Sequence, residues 1–435
     1  METSVIEKDY PVTFREEDAK ALGIQLAHRH SIDLVGMKRV GISNFLRFFL
    51  YNHSVVPTYI HPSDKYLFVP IDLNDLVERE IFPFWALTMK RIVDAVGRSD
   101  LSELDKKRIE SLFLSSIQTQ DLFLLIDSVR RLVGELVGHD ITIVLFFLRF
   151  DRMRDVVTPS FFDNLQGLKD AANQKLAYVF TGDRSLDVLS PSVFPKASLS
   201  VFSKVLSMKP ANPQDTKIIY DTYKRRYSLS LSREIENELL RLANGYVQYL
   251  QLALIILNEK KESLPQSASE LFEVLCGDER IMLQSEELWE SLTKEEKDVL
   301  MKVAQGESVT AEEKIKAAYL WDCGFVTELN GEQRLFSELF AKYLKNHDEV
   351  KQDNHMVHFS KKEHLLYTLL EQHLGEICER EKIVETVWPE YSEFGVSDWA
   401  IDRLVARVRS KLKQQKSPYE IVTIRTRGYK LAPLE

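Results

Sequence analysis

Between Arg403 and Lys430 the chain carries nine lysines and arginines against one acid, Glu420, a local charge of plus eight in a protein of net charge −9. Guanidinium groups match phosphate oxygens and the O6/N7 edge of guanine, so this segment is equipped to recognise a duplex DNA backbone and read it. A second constellation lies near the N-terminus, in Gly36-Met37-Lys38-Arg39-Val40-Gly41-Ile42-Ser43-Asn44. The interval from Gly36 to Gly41 to Ser43 suits a loop whose backbone N–H groups cradle a phosphate at the start of a helix. A loop that also moves a phosphoryl group needs a lysine just before the serine, and Ile42 stands there. Gly36, Arg39, Gly41, Ser43 and Asn44 are therefore candidates for holding a nucleotide, ATP or ADP, without hydrolysing it. No catalytic residue and no certain cofactor follow from the sequence. His28-Arg29-His30 lacks an acidic or cysteine partner at ligand spacing, so no metal site is expected.

These residues need elements to position them. Ser31 to Val35, Tyr66 to Ile71, Ile141 to Leu148 and Leu176 to Thr181 are short apolar runs bounded by polar or turn residues, which reads as buried strands. Helical stretches separate them, at Ser43 to Leu50 and at Gln118 to Val137. Such alternation implies a parallel sheet with helices on both faces. From Pro213 to about Leu283 the pattern is helical, interrupted at Asn244-Gly245. Glu287 to Leu344 reads as short helices ending in a hairpin that turns at Asn330-Gly331. Residues 347–355 are polar with one valine and read as a flexible linker.

In the C-terminal segment Lys361 to Gln372, Arg380 to Val387 and Asp398 to Lys413 have helical periodicity. Ile401, Leu404, Val405, Val408 and Leu412 form the apolar stripe of the third helix, and Arg403, Arg407, Arg409, Lys411 and Lys413 lie off it. A hairpin with Arg425 and Arg427 near its tip closes the chain.

The totals set limits. Hydrophobic residues make up 44% and charged residues 28%, the balance of a water-soluble globular protein, and 435 residues suffice for several domains. No apolar run approaches the ~20 residues that span a bilayer, so no membrane association is expected. Met1 to Tyr10 has no apolar signal core, and the three cysteines are far apart; both features fit a reducing cytoplasm.

The order of C-terminal elements resembles the OmpR/PhoB-type winged helix of transcriptional regulators. Phe359 to Leu366 looks like its opening helix, Arg380 to Trp388 its second, Ile401 to Leu412 its recognition helix, and Thr423-Ile424-Arg425-Thr426-Arg427-Gly428-Tyr429 its wing. The resemblance implies that Arg407 approaches bases, that Arg409 and Thr423 bind phosphates and that Arg425 enters a minor groove. Arg403, Lys411, Arg427 and Tyr429 complete the expected DNA-binding set. Trp399, Ala400 and Ala406 depart from the pattern, which leaves the operator sequence open.

Residues 20–345 resemble STAND-type AAA+ ATPases of the origin-recognition-like branch. Phe146-Phe147-Leu148-Arg149-Phe150-Asp151 looks like the strand that ends in the magnesium-binding Asp and the catalytic Glu. Leu148 and Arg149 occupy those two places, and Asp151 alone survives. Thr181 stands at the sensor position, and Asn244 to Gln251 looks like a worn lid signature. Phosphoryl transfer depends on charge at the replaced positions, so the resemblance implies a pseudo-ATPase.

The fold expected is multidomain: a P-loop NTPase-like α/β domain with a parallel sheet (1–210), a helical lid (211–283), a winged helix (284–346), a linker (347–356) and an OmpR/PhoB-type winged-helix domain (357–435). The function expected is DNA-binding transcription regulation. The N-terminal body would act as sensor or oligomerisation module, and double-stranded DNA and a second copy of the chain would be the partners. The alternatives are a nucleotide-binding or nucleotide-hydrolysing switch and a protein-interaction scaffold.

Overall fold

The computed structural model describes residues 5–61, 65–193, 203–329, 331–353, 359, 361–388, 398–424 and 427–434. The chain forms two units, Met1–Leu344 and Lys345–Glu435. No helix among the described residues is long and apolar enough to cross a membrane.

In the first unit, strands β1 (Ser31–Gly36), β2 (Lys65–Asp72), β3 (Ile141–Leu148), β4 (Leu176–Gly182) and β5 (Ser203–Met208) form one sheet in the order β2-β3-β4-β1-β5. All four pairings are parallel. Helices α1 (Glu16–Ala27) and α2 (Ile42–Tyr51) pack on one face. Helices α3 (Ile81–Gly97), α4 (Glu103–Gln118), α5 (Leu122–Gly138) and α6 (Pro159–Ala171) pack on the other. The sequence shows why both faces are covered. Along β3, Val144 and Phe146 enter the core beneath α2, while Ile143, Leu145 and Phe147 enter the opposite one. A strand buried on both sides reads as an unbroken apolar run.

The four expected strands are present. The edge strand β5 was not foreseen, because it pairs with β1 alone and its Val205 stays exposed, so it has no apolar run to announce it. The single helix expected over Gln118 to Val137 is instead the end of α4 and the whole of α5. Gln120 takes a left-handed φ of 51°, and Asp121 caps α5 by accepting the Leu124 N–H at 2.9 Å.

Helices α7 (Pro213–Tyr227), α8 (Arg233–Ala243), α9 (Val247–Glu259), α10 (Ala268–Gly277) and α11 (Glu279–Glu290) follow. The break between α8 and α9 falls at Asn244 and Gly245, both with positive φ. Gly245 is required there, since a β-carbon would lie 1.9 Å from the Ala211 carbonyl oxygen. Helix α12 (Lys294–Ala304) opens with a capping box of Thr293 and Glu296. Strands β6 (Val326–Leu329) and β7 (Glu332–Leu335) form the expected hairpin.

Helix α13 spans Glu338–Asp353, so residues 347–353 are helical where a flexible linker was expected. Polarity alone misled: the stretch has no proline or glycine, and a solvated helix can be polar all round. Residues 354–356, the rest of that expected linker, lie outside the described residues.

The second unit holds helices α14 (Lys361–Gln372), α15 (Arg380–Val387) and α16 (Asp398–Gln414). Its sheet is β8 (Cys378–Glu379), β10 (Gly428–Pro433) and β9 (Tyr419–Ile424), in that order and antiparallel. Ile401, Leu404, Val405, Val408 and Leu412 are all buried with Leu366, Leu370 and Leu431, as the periodicity of α16 requires.

Candidate nucleic-acid interface and the degenerate phosphate loop

Two polar ties fix helix α16 to the hairpin, the first through Arg409. Arg409 donates from Nε to the Ile421 carbonyl at 2.7 Å and from a terminal nitrogen to Thr423 Oγ1 at 2.8 Å. A second tie runs behind it. Arg380 donates to Asp402 at 2.6 Å and to the Tyr429 hydroxyl at 3.0 Å, and that hydroxyl donates to Asp402. Burial and the Asp402 carboxylate push the Tyr429 phenol well up. Gly428 comes before it because a β-carbon there would lie 2.0 Å from the Cys378 carbonyl oxygen.

The expected DNA-binding residues therefore divide. Arg427 is exposed, Thr423 is exposed beside Arg409, and Arg403 is half-buried on α16. Arg425 lies outside the described residues. Tyr429 is 2% exposed with its hydroxyl committed to Asp402, so it supports the hairpin instead of facing solvent. Arg407 and Lys411 do not stand in an open basic row. Both lean on the buried Glu363 of α14, at 3.6 and 2.6 Å. The sequence spacing put them off the apolar stripe, but it could not show that an acid 44 and 48 positions upstream holds them. The solvent-facing side of α16 shows Asp402, Ala406, Ser410 and Lys413.

In the first unit, β1 runs into the glycine-bounded loop, and α2 starts at Ile42 with Gly41, φ 115°, at its N-cap. The loop leads from the strand into the N-terminus of α2, and α9 and α11 pack against it. A β-carbon on Gly41 would meet Val247 Cγ2 of α9 at 2.7 Å. Tyr246 donates its hydroxyl to the Lys38 carbonyl at 2.6 Å and accepts from Gln284 at 2.9 Å. Arg39, whose φ is 60°, donates to Glu287 of α11 at 2.9 Å. Lys38 faces Asp183 at 3.6 Å. Asn44 is buried and donates to Glu7 at 3.1 Å. Gly36 and Gly41 thus bound the loop and Arg39 and Asn44 are bound to protein carboxylates, while Ser43 is exposed.

The ends of β2 and β3 carry no acidic pair. Leu148 is apolar, and Arg149, in the left-handed region at φ 59°, donates its N–H to Thr181 Oγ1 at 2.9 Å and its guanidinium to Asp72. Burial and neighbouring Asp183 raise the Asp151 carboxyl above its ordinary value. Beyond β4, Arg184 makes a bidentate pair with Glu296 of α12, 2.7 Å on both arms, and its guanidinium lies 3.7 Å from the Tyr319 ring centre. Sequence reading missed this pair, which joins residues 112 positions apart.

Residues 353–431 match the family described as transcriptional regulatory protein, C terminal, so the second unit carries a DNA-binding domain of that OmpR/PhoB type. The sequence matches no curated protein. Among solved structures, the chain is similar to the Walker-type ATPase PABY2304 of Pyrococcus abyssi, at 16% identity and TM-score 0.48, covering 76% of this chain and 95% of that one. It is similar to the Aeropyrum pernix ORC2 protein at 12% identity and TM-score 0.44, covering 81% and 99%. It is also similar to the Aeropyrum pernix ORC1 protein, solved in complex with DNA, at 14% identity and TM-score 0.39, covering 81% and 96%.

Proposed function

We propose that this protein is a transcriptional regulator that binds duplex DNA through α16 and the β9–β10 hairpin, with the N-terminal body acting as a pseudo-ATPase sensor or self-association module. The observation that carries the reading is the Arg409 tie. It holds α16 against β9, with Thr423 and Arg427 both exposed on the hairpin. Arg409, Thr423 and Arg427 contact phosphates, which fix register without reading sequence. Arg403 approaches base edges, Arg407 joins it only on leaving Glu363, and Arg425 is assigned to the minor groove.

The pseudo-ATPase part rests on Ile42, Leu148 and Arg149 at three positions where phosphoryl transfer needs charge. Lid residues on the loop support the same reading. ATP or ADP binding requires α9 to leave Gly41. Residues 1–210, 211–283 and 284–346 serve as NTPase-like domain, lid and winged helix of this body.

A single winged helix covers little DNA, so two half-sites and a dimer are part of the proposal. Selection of duplexes from a random pool by the full chain, followed by sedimentation on the selected site, tests it. A shared motif in two copies with two chains bound is expected. A pool that never converges contradicts regulation through a defined operator.

A further inference from the structure

At the C-terminal edge of the sheet a cavity of about 350 Å³ opens beside the phosphate loop, in the size range of small-molecule sites. Of the five candidate nucleotide-binding residues only Ser43 lines it. Its walls are α2, the ends of β2 and β3, and α3, where open parallel sheets place ligands.

The chemistry of the lining is unusual for a structural crevice. Four arginines, at 47, 91, 98 and 149, face three aspartates, at 72, 75 and 94. Most of the arginines are held by carboxylates. Arg149 pairs with Asp72, Arg91 with Asp75 at 2.6 Å and Asp94 at 3.2 Å, and Arg47 with Glu7 at 2.7 Å. These pairs orient the groups without enclosing them, since the Arg149, Arg91 and Arg47 side chains remain 40%, 35% and 42% exposed. A guanidinium has about five N–H donors, and one carboxylate leaves several over. Arg98 is exposed at the end of α3 and makes no ion pair among the described residues.

With Glu7, which holds Arg47, the four cations face four anions, and Arg98 is the cation left without an ion pair among the described residues. The first turn of α2, which includes Ser43, adds roughly half a positive charge. Arg98 and this helix start suit one anionic group. Leu46, Leu50, Pro70 and Leu148 provide an apolar wall for an organic remainder. At the end of β3, Arg149 puts a fixed cation at the edge of the sheet beside Leu148, which offers no ligand to a metal.

We propose that this cavity binds the phosphate group of a small phosphorylated molecule without a metal ion, Arg98 and Arg149 supplying the fork of donors. The inference deepens the reading of the N-terminal body as a sensor, since it names the class of molecule sensed. It does not depend on DNA binding.

Full-length protein titrated with inorganic phosphate and with ribose 5-phosphate, by calorimetry and thermal denaturation at constant ionic strength, tests it. Saturable binding that is equal in magnesium and in EDTA is expected, with ribose itself inert. Arg149→Gln and Arg98→Gln are each expected to weaken binding about ten- to hundredfold, the loss of one charge-assisted hydrogen bond. Arg98→Gln changes an exposed residue and leaves the fold intact. Asp94→Asn removes a competing carboxylate and is expected to tighten binding. No saturable binding at millimolar probe overturns the site. Binding that both arginine variants retain also overturns it, because it then belongs to the basic C-terminal unit, which they leave unchanged. DNA affinity of the same preparations, read separately, tests the regulatory proposal.

Discussion

Val247, the first residue of α9, occupies the space into which a side chain on Gly41 would extend, its Cγ2 2.7 Å from the place of that missing β-carbon. The glycine at this turn leaves room for the start of α9. With Tyr246 on the Lys38 carbonyl and Arg39 on Glu287, the loop is satisfied by protein groups.

Purified protein is expected to release no phosphate from ATP above background with magnesium. Ile42→Lys alone is expected not to restore turnover, because Leu148 and Arg149 still deny the metal and the attacking water their carboxylates. Hydrolysis that disappears in Ser43→Ala would overturn the pseudo-ATPase reading.

Arg184 and Glu296 hold the end of β4 against α12 with side chains 12% and 6% exposed. Removing one partner strands the other charge. Arg184→Ala is expected to cost roughly 3–5 kcal/mol in denaturant unfolding of the N-terminal unit. The double change Arg184→Ala with Glu296→Ala should cost less than the two single losses added together. Strict additivity would show that the pair is not coupled.

Asp33, buried in β1, accepts the Leu186 N–H at 2.7 Å, and burial raises its carboxyl to about 7. The folded state therefore keeps a proton that the unfolded chain releases near its ordinary value of 3.8. Stability from this group is highest below that value and falls as pH rises to about 7, beyond which the loss is complete. Asp33→Asn, which keeps the acceptor and removes the charge, should stabilise the protein above neutrality and flatten the slope between those two values. An unchanged slope of unfolding free energy against pH would rule Asp33 out as its source.

Much of the architecture was legible because it is local. Unbroken apolar runs disclosed β1 to β4, and the stripe from Ile401 to Leu412 disclosed the buried face of α16. The residues on which the proposed pseudo-ATPase reading rests, Ile42, Leu148 and Arg149, are visible in the sequence. What stayed hidden depends on partners distant in sequence. Glu363 holding Arg407 and Lys411, Arg184 meeting Glu296, and Val247 closing on Gly41 are tertiary contacts that no periodicity announces. The two-residue strand β8 is too short to show a pattern and exists only through its pairing with Gly428 and Tyr429. The charged cavity collects residues from four separate elements, so its arginines read singly as surface charge.

The central claim is that α16 and the β9–β10 hairpin bind DNA as one surface. Its most direct test is the affinity of the full chain for a selected duplex across a range of salt, compared with Arg427→Ala and Arg409→Ala. Affinity should fall steeply with salt. Each substitution should lower the slope of log affinity against log salt by about 0.9 for one lost phosphate contact, and Arg409→Ala should weaken binding further by loosening β9 against the helix. Affinity and slope unchanged by both substitutions would contradict the account.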